Sequence, residues 1–465
     1  MDIDAALAAL SHLDIDRNPV SVKAKSRDFF WYSPVLKAHL DHLTADFVVT
    51  PKSEAEVIEV LRVCYSHDVP VTVRGAGTGN YGQAMPLAGG CVMHMRALNR
   101  VKEIHPGRVI AEPGCVLRDL DTETRAQSRQ ELRMTPSTYA TATVGGFVAG
   151  GSGGVGSVRW GALRDLGNII RLRVVTMEAE PRILDLRGEE LPRVSHAFGT
   201  NGIITEVELP LAPAYDWVET FVALPSFPGA TKFAADLAEE DGILIKLASV
   251  YEAPIASDYF QRVAPHVPPD KPHLVGLMVA PQAIDAFDIF TARRPAAQVI
   301  WRSDRGGWPR EPGPVYEYGW NHTTLRALKV DPSITYLQVR YGYPDYLARI
   351  EAIRAAFPGE VMQHLEVMRE HGHVMFAGLS MVHFTNAERL DHIIREHERL
   401  GCMIFNPHRY TLEEGGRQTV DARQLAFKRE ADPKGLLNPG KMIAWDAPEW
   451  NFERMYSYAR IRAAR

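Results

Sequence analysis

The chain has 465 residues, room for two or three domains of ~150 residues and for a core that needs no disulfide or structural metal. Its content of 46% hydrophobic and 23% charged residues is that of a folded globular protein, and 52 basic against 57 acidic residues leave no positive field for nucleic acid or an anionic membrane. The four cysteines (Cys64, Cys91, Cys115, Cys402) include no CxxC pair, which excludes zinc ribbons and disulfide frameworks and predicts a cytoplasmic protein. No stretch approaches ~20 uninterrupted apolar residues, so no spanning helix is expected. The acidic N-terminus lacks the basic start of a secretory signal.

Residues 1–40 read as an N-terminal helical extension. Phe47–Thr50 then reads as a strand, and Ser53 and Glu56 have the spacing of a capping box. Val57, Ile58, Val60, Leu61 and Cys64 recur at helical spacing until Asp68-Val69-Pro70 stops the run. Val71–Val73 is a second strand, and it ends in the glycine-rich turn Arg74–Asn80. Short strands follow at Gly89–Met95 and Arg108–Glu112, with a helix over Leu117–Ser128. A second glycine-rich tract leads to strands at Ile169–Met177 and Ile203–Leu209, and Pro210 and Pro213 mark the end of this first region. Beyond it, strands at Ile243–Val250 and Tyr336–Tyr341 alternate with helices at Gly229–Glu239 and Tyr346–Ala356.

Both glycine tracts match GxGxxG, yet neither suits a nicotinamide Rossmann site. Gly77–Gly82 follows a strand as that fingerprint should, but Pro86 and Gly89-Gly90 forbid the long helix that must come next. Gly151–Gly156 has no strong strand before it. A glycine-rich turn can still bind phosphate, because successive backbone N–H groups form a concave anion nest. Glycine also takes positive φ and admits a ligand close to the backbone. Eight glycines fall between Gly145 and Gly161, more than the tight turns of a β-rich domain require.

Four motifs carry a family resemblance: Arg74–Gly79, Pro136–Thr138 with Ala142–Gly146, Phe198–Thr205, and Asn438–Lys441. In this order they resemble the FAD-linked oxidases of the vanillyl-alcohol oxidase / p-cresol methylhydroxylase class, and within it the glycolate oxidase subunit and D-lactate dehydrogenase branch. The resemblance implies an α+β fold, with a two-subdomain FAD-binding domain over 41–212 and a second α+β substrate (cap) domain over 213–400. A C-terminal segment, 401–465, would return to the FAD domain and active site. It implies that Arg74, Gly75, Ala76, Gly77, Thr78, Gly79, Asn80, Gly82 and Gln83 wrap the pyrophosphate. Pro136, Ser137, Thr138, Thr143, Gly145, Gly146, Gly151, Ser152 and Gly153 would follow the ribityl chain and isoalloxazine. Gly202, Ile203 and Ile204 would lie near the adenine, and Asn438 would join from the C-terminal motif. Some relatives attach flavin through a histidine where Thr78 stands here, and Tyr139–Gly154 offers no cysteine, so a dissociable FAD is expected.

The protein must then orient a C–H bond over the flavin and accept a proton, work that suits histidine. In the resembling branch an HxGDGNxH-like motif and a later EHG hold a divalent metal. Here Phe376 replaces the first histidine and Pro407 the glutamate, so no metal is expected. His408 and His383 survive at the remaining positions and become candidates for the base, with Tyr410 in reserve. Arg340 is a candidate carboxylate clamp, and an ion pair would account for it equally. Trp301, Trp308, Tyr316, Tyr318 and Trp320 cluster around a loop, as a pocket wall for an aromatic small-molecule substrate or as core. The expected protein is thus an FAD-dependent dehydrogenase or oxidase acting on an alcohol, 2-hydroxy acid or phenolic benzylic carbon, as a homodimer whose electron acceptor the sequence does not name. Two alternatives stand beside it: a non-redox flavoenzyme like the ether-lipid synthases, and an electron-transfer subunit.

Overall fold

The computed structural model describes residues 1–415 and 422–447. The chain folds as two units. The first comprises Met1–Ser152, Leu163–Ala214 and the described residues from Asn406 onward; the second comprises Gly153–Ala162 and Tyr215–Phe405. Of the expected C-terminal segment, 416–421 and 448–465 lie outside the described residues.

The first unit holds two sheets. One contains β1 (Ile15–Asp16), β2 (Phe47–Val49), β3 (Val71–Arg74) and β4 (Cys91–His94) in the order β1-β2-β4-β3, with β4 parallel to both β2 and β3. The parallel pairing follows from the crossover helix Glu54–Ser66, whose Val57, Val60, Leu61 and Cys64 are buried against the sheet. Ser53 Oγ caps that helix by accepting from Glu56 N at 3.2 Å, while the Glu56 carboxylate reaches Lys52 N at 2.8 Å. The capping box therefore closes one residue earlier than its usual form. From residues 1–40, Ala6, Leu7 and Leu10 sit in this same core.

The other sheet contains β5 (Val101–His105), β6 (Arg108–Ala111), β7 (Gln130–Leu132), β8 (Arg171–Val175), β9 (Ile183–Arg187) and β10 (Ile203–Pro213) in the order β5-β6-β10-β8-β9, with β7 paired to the end of β10. β10 runs through Pro210 and ends at Pro213. Pro210 lies beyond the last pair with β8 and before the first with β7, where its missing N–H costs no ladder bond on that side.

The second unit is antiparallel. Its strands are β11 (Val218–Leu224), β12 (Ile245–Tyr251), β13 (His273–Val279), β14 (Gln298–Arg302), β15 (Ile334–Tyr336), β16 (Gln338–Tyr341), β17 (Val361–Met362), β18 (His364–Glu370), β19 (His373–Gly378), β20 (Met381–His383) and β21 (Met403–Phe405). Eight of them form one sheet in the order β14-β11-β13-β12-β18-β19-β16-β21; β15, β20 and β17 form a small one. The strand expected over Tyr336–Tyr341 is therefore two strands that change sheets at Leu337, whose N–H goes to Ser380 O at 2.9 Å. Helices Phe227–Ala238 and Tyr346–Ala356 form where their periodicity places them. Gly153–Ala162 packs here because Gly156 N donates to Lys246 O at 2.8 Å and helix Ser157–Trp160 lies against β12 and β18.

Part of the aromatic cluster is core. Tyr318 is fully buried edge-on to Phe221 and Phe260, with centroids 5.5 and 4.8 Å apart, and Trp301 is buried on β14. Among the described residues no helix is long and apolar enough to cross a membrane.

Candidate functional site

The turn after β3 is a backbone device that leaves no room for side chains. A Cβ on Gly75 would lie 2.1 Å from Thr143 Oγ1, one on Gly77 2.1 Å from Arg74 Nη1, and one on Gly79 2.4 Å from Gln83 Oε1. Gly77 has φ +68° and Gly82 +72°, so glycine is needed there for conformation as well as for space. Ala76 O receives Arg74 Nη2 at 3.2 Å, and Asn80 is buried.

The second tract folds against this turn. Val144–Gly150 forms a short helix. Thr143 Oγ1 caps it by accepting from Gly146 N at 3.3 Å, and burial of Val144, Phe147 and Val148 outweighs the poor propensity of glycine. Gly145 fits only because a Cβ would meet Pro113 at 2.5 Å, and a Cβ on Gly151 would meet Phe147 at 2.4 Å. Thr138 and Thr78 bring their hydroxyls to 3.4 Å, with Pro136 and Ser137 just before. Ser152 O accepts Leu163 N at 2.9 Å, while Gly153 begins the segment that belongs to the second unit. The two tracts thus meet along residues 74–83 and 138–150.

Segments far away in sequence pin the turn. Phe29 N donates to Gly79 O at 2.7 Å, and Arg74 Nη1 reaches Arg27 O. Asp28 accepts from Phe30 N at 2.9 Å and Ala84 N at 3.2 Å. From the other end of the chain, Lys441 Nζ donates to Gly82 O at 2.6 Å, and Asn438 Nδ2 to Gln83 O at 2.8 Å and Phe198 O at 2.6 Å. The amide of Asn438 is thereby spent on carbonyls, so it holds the turn from beneath. Burial raises the Asp28 carboxyl to about 6 and lowers the Lys441 ammonium to about 7, each partly restored by the charge of the other. Burial also lowers Arg74. Neither Asp28 nor Lys441 was singled out from the sequence. Lys441 stood inside a quoted motif, while Asp28 had no local signal.

Gly202 (φ +111°) has its Cβ position 2.5 Å from Val174 Cγ1, and Ile203 is a fully buried member of the core that also holds Val71 and Met93. Ile204 is buried beside it, so this stretch presents main chain only. The buried pair Lys428–Asp432 secures the neighbourhood, with Lys428 Nζ on Thr200 O at 2.8 Å and Leu437 O at 3.0 Å.

Of the proposed catalytic residues, His408 and Tyr410 belong to the first unit. His408 is buried, with Nδ1 2.7 Å from Ser33 Oγ and its backbone N on Asn406 Oδ1 at 3.0 Å. Ser33 Oγ also accepts from Leu36 N at 3.0 Å. Tyr410 is half-buried, with Lys441 Nζ 5.0 Å from its ring. His383 and Arg340 occupy different sheets of the second unit. His383 has its side chain 40% exposed, 3.7 Å from Asp331. Arg340 pairs with Glu370 and has Met403 Sδ at 3.6 Å, which is the ion-pair alternative named for it beside the carboxylate clamp. Phe376 is buried on β19.

These residues fit an extended dinucleotide cofactor of the FAD type. Glycines that a Cβ would overfill form a main-chain cradle, flanked by the buried Lys441 and the part-buried Arg74 against the buried Asp28.

Comparison with known proteins agrees. The FAD binding domain family matches residues 45–185. The chain is similar to glycolate oxidase subunit GlcD of Bacillus subtilis, 30% identical over 38% of this chain and 39% of the relative. It is also similar to D-lactate dehydrogenase of Archaeoglobus fulgidus, 29% identical over 42% and 45%. The chain thus spans less than half the length of these relatives. Along most of its length it resembles an uncharacterised FAD-linked oxidoreductase of Mycobacterium tuberculosis, at 24% identity over 87% of this chain and 93% of the relative. Among solved structures an alkyldihydroxyacetonephosphate synthase shares the fold, with TM-score 0.70 and 15% identity over 95% of this chain and 85% of that one.

Proposed function

We propose that this chain, which carries an FAD binding domain and is similar to glycolate oxidase subunits and D-lactate dehydrogenases, dehydrogenates a CH–OH group of a small alcohol, 2-hydroxy acid or phenolic benzylic substrate. The observation that carries this reading is the glycine turn pinned by both ends of the chain, beside a buried histidine on the same C-terminal segment. FAD, when bound, supplies a two-electron acceptor for the substrate hydride.

The turn at Arg74–Gln83 holds the cofactor through main-chain N–H groups, the segment Thr143–Gly146 packs against that turn, and Arg74 and Lys441 bring positive charge to the place. His408 takes the hydroxyl proton at Nε2. Ser33 Oγ can accept an Nδ1–H as well as the Leu36 N–H, and that tautomer leaves Nε2 basic. Tyr410, two residues on, lines the same segment. Phe376 and Pro407 stand where the resembling branch has metal ligands, which favours a substrate larger and less polar than lactate. His383 remains the alternative base in this reading. The four buried, free cysteines support a cytoplasmic setting, and we carry the homodimer forward as part of the proposal.

Anaerobic mixing of the yellow protein with glycolate, D-lactate and 4-hydroxybenzyl alcohol tests the reading, since one of these classes should bleach the flavin. A protein that purifies without FAD, or a flavin that none of them reduces, overturns it. His408→Ala should retain FAD and slow that reduction by ~10²-fold or more. Wild-type reduction in this variant passes the role to His383.

A further inference from the structure

Two buried charges of the first unit grip the glycine turn from outside the stretch that matches the FAD binding domain family, residues 45–185. Lys441 Nζ donates to Gly82 O at 2.6 Å, and the Asp28 carboxylate accepts from Ala84 N, two residues further on, at 3.2 Å. Asp28 also accepts from Phe30 N at 2.9 Å. Lys441 is fully buried and Asp28 is 3% exposed. Uncharged side chains could hold the same carbonyl and amides without the cost of burying ions. What the two charges add is sensitivity to a third.

Burial drives both groups toward their uncharged forms, the Asp28 carboxyl up to about 6 and the Lys441 ammonium down to about 7, and the charge of each limits the shift of the other. As a unit the pair takes up or gives up a proton close to neutral pH. The charges around it do not. Arg74 keeps its proton, with its guanidinium on Arg27 O and Ala76 O. Arg27 is paired with Asp41. His94 lies opposite Arg74 in the parallel β3–β4 pair, held down to about 4 by burial and by the cations Arg74, Lys25 and Arg96. Tyr410 presents its ring to Lys441 Nζ at 5.0 Å.

We propose that the Asp28–Lys441 pair links cofactor binding to protons. An anionic pyrophosphate at the turn favours the ammonium and disfavours the carboxylate, so FAD binding draws a proton from solvent onto the pair, and FAD leaves more readily as pH rises. The inference rests on the reading above that this turn holds the cofactor.

The test dilutes the yellow holoenzyme at several pH values and reads released FAD by its fluorescence, FAD itself keeping its charge across the neutral range. A proton taken up on binding appears as a slope of log Kd against pH, and we expect Kd to rise about tenfold between about pH 6 and pH 8. A wild-type Kd independent of pH overturns the proposal. The double variant Asp28→Asn, Lys441→Met has neither titrating group and should bind FAD more weakly with a flat profile. Residues that only support the fold would weaken binding equally at every pH, so a wild-type slope in the double variant also overturns the proposal. Should that variant retain no flavin, Asp28→Asn decides. Without its countercharge Lys441 loses its proton sooner, and the rise in Kd should begin roughly one pH unit lower; an unmoved profile rejects the link. A wild-type protein without FAD, or a flavin that survives Gly77→Val, overturns the cofactor reading instead, so the two failures are distinct.

Discussion

Lys441 and Asp28 in the first unit and Glu366 and His364 in the second are all buried, yet they grip different things. Lys441 and Asp28 hold main chain, at Gly82 O and Ala84 N. His364 and Ser249 hold the side chain of Glu366, which in turn fixes one residue, Trp320. The contrast lies in how much main chain each network serves. On the reading proposed for the first unit, a phosphate cradle made of N–H groups requires a main chain of one shape, so charge is spent on carbonyls and amides along the turn. The network of the second unit converges on one main-chain N–H.

The comparison breaks most readily at Gly77. Gly77→Val should abolish FAD retention, read as the flavin-to-protein ratio after gel filtration, because φ +68° and the Arg74 guanidinium 2.1 Å from the Cβ position exclude a β-branched side chain. Stoichiometric flavin in that variant shows that the turn does not form the cradle. Next in size, Lys441→Met removes the donor to Gly82 O and the buried positive charge that offsets the burial of Asp28. We expect FAD to bind at least tenfold more weakly and the fold to lose about 2–4 kcal/mol, measured by flavin titration and urea unfolding. An unchanged dissociation constant at lower stability assigns the lysine to folding alone.

In the second unit, burial raises the Glu219 carboxyl from 4.5 to about 7, against the opposing hydrogen bond from Val315 N at 3.1 Å. The folded protein therefore keeps a proton that the unfolded chain releases. Stability from this group is fully present below about pH 4.5 and is lost as pH rises through 7. Glu219→Gln should remove that decline, on the order of 1–3 kcal/mol, in unfolding curves at pH 4.5 and 7.5. A pH profile parallel to wild type rejects the assignment. The smallest effect belongs to Arg340. As a partly exposed partner of Glu370 it should cost under about 1 kcal/mol on change to Ala and leave half-saturation by substrate unchanged. A tenfold rise in half-saturation would restore it as a carboxylate clamp.

The strands and helices of the first unit were largely legible, because burial of one face imposes a period that sequence displays. The helix Glu54–Ser66 and its Ser53 cap are the plainest case. The glycine tracts were legible for a different reason: positions that need positive φ or exclude a Cβ tolerate little besides glycine. Helix Val144–Gly150 was hidden by the same glycines, since the force that makes it helical is burial of Val144, Phe147 and Val148, which propensity does not contain. Arg340 stayed open between clamp and ion pair because an arginine on a strand reads alike whether its partner is a ligand or Glu370.

By itself, then, the amino-acid order determined where the chain turns, which faces are apolar and where a positive φ calls for glycine, all of them local demands on a few neighbouring residues. Tertiary structure alone decided what holds those places. Asp28 and Lys441 meet one turn from opposite ends of the chain, and Ser249, Trp320, His364 and Glu366 assemble from β12, β18 and the residues before helix Asn321–Leu328. Such partners have no spacing to betray them. A buried charge needs compensation wherever the fold can supply it, and only the fold determines which residue is there.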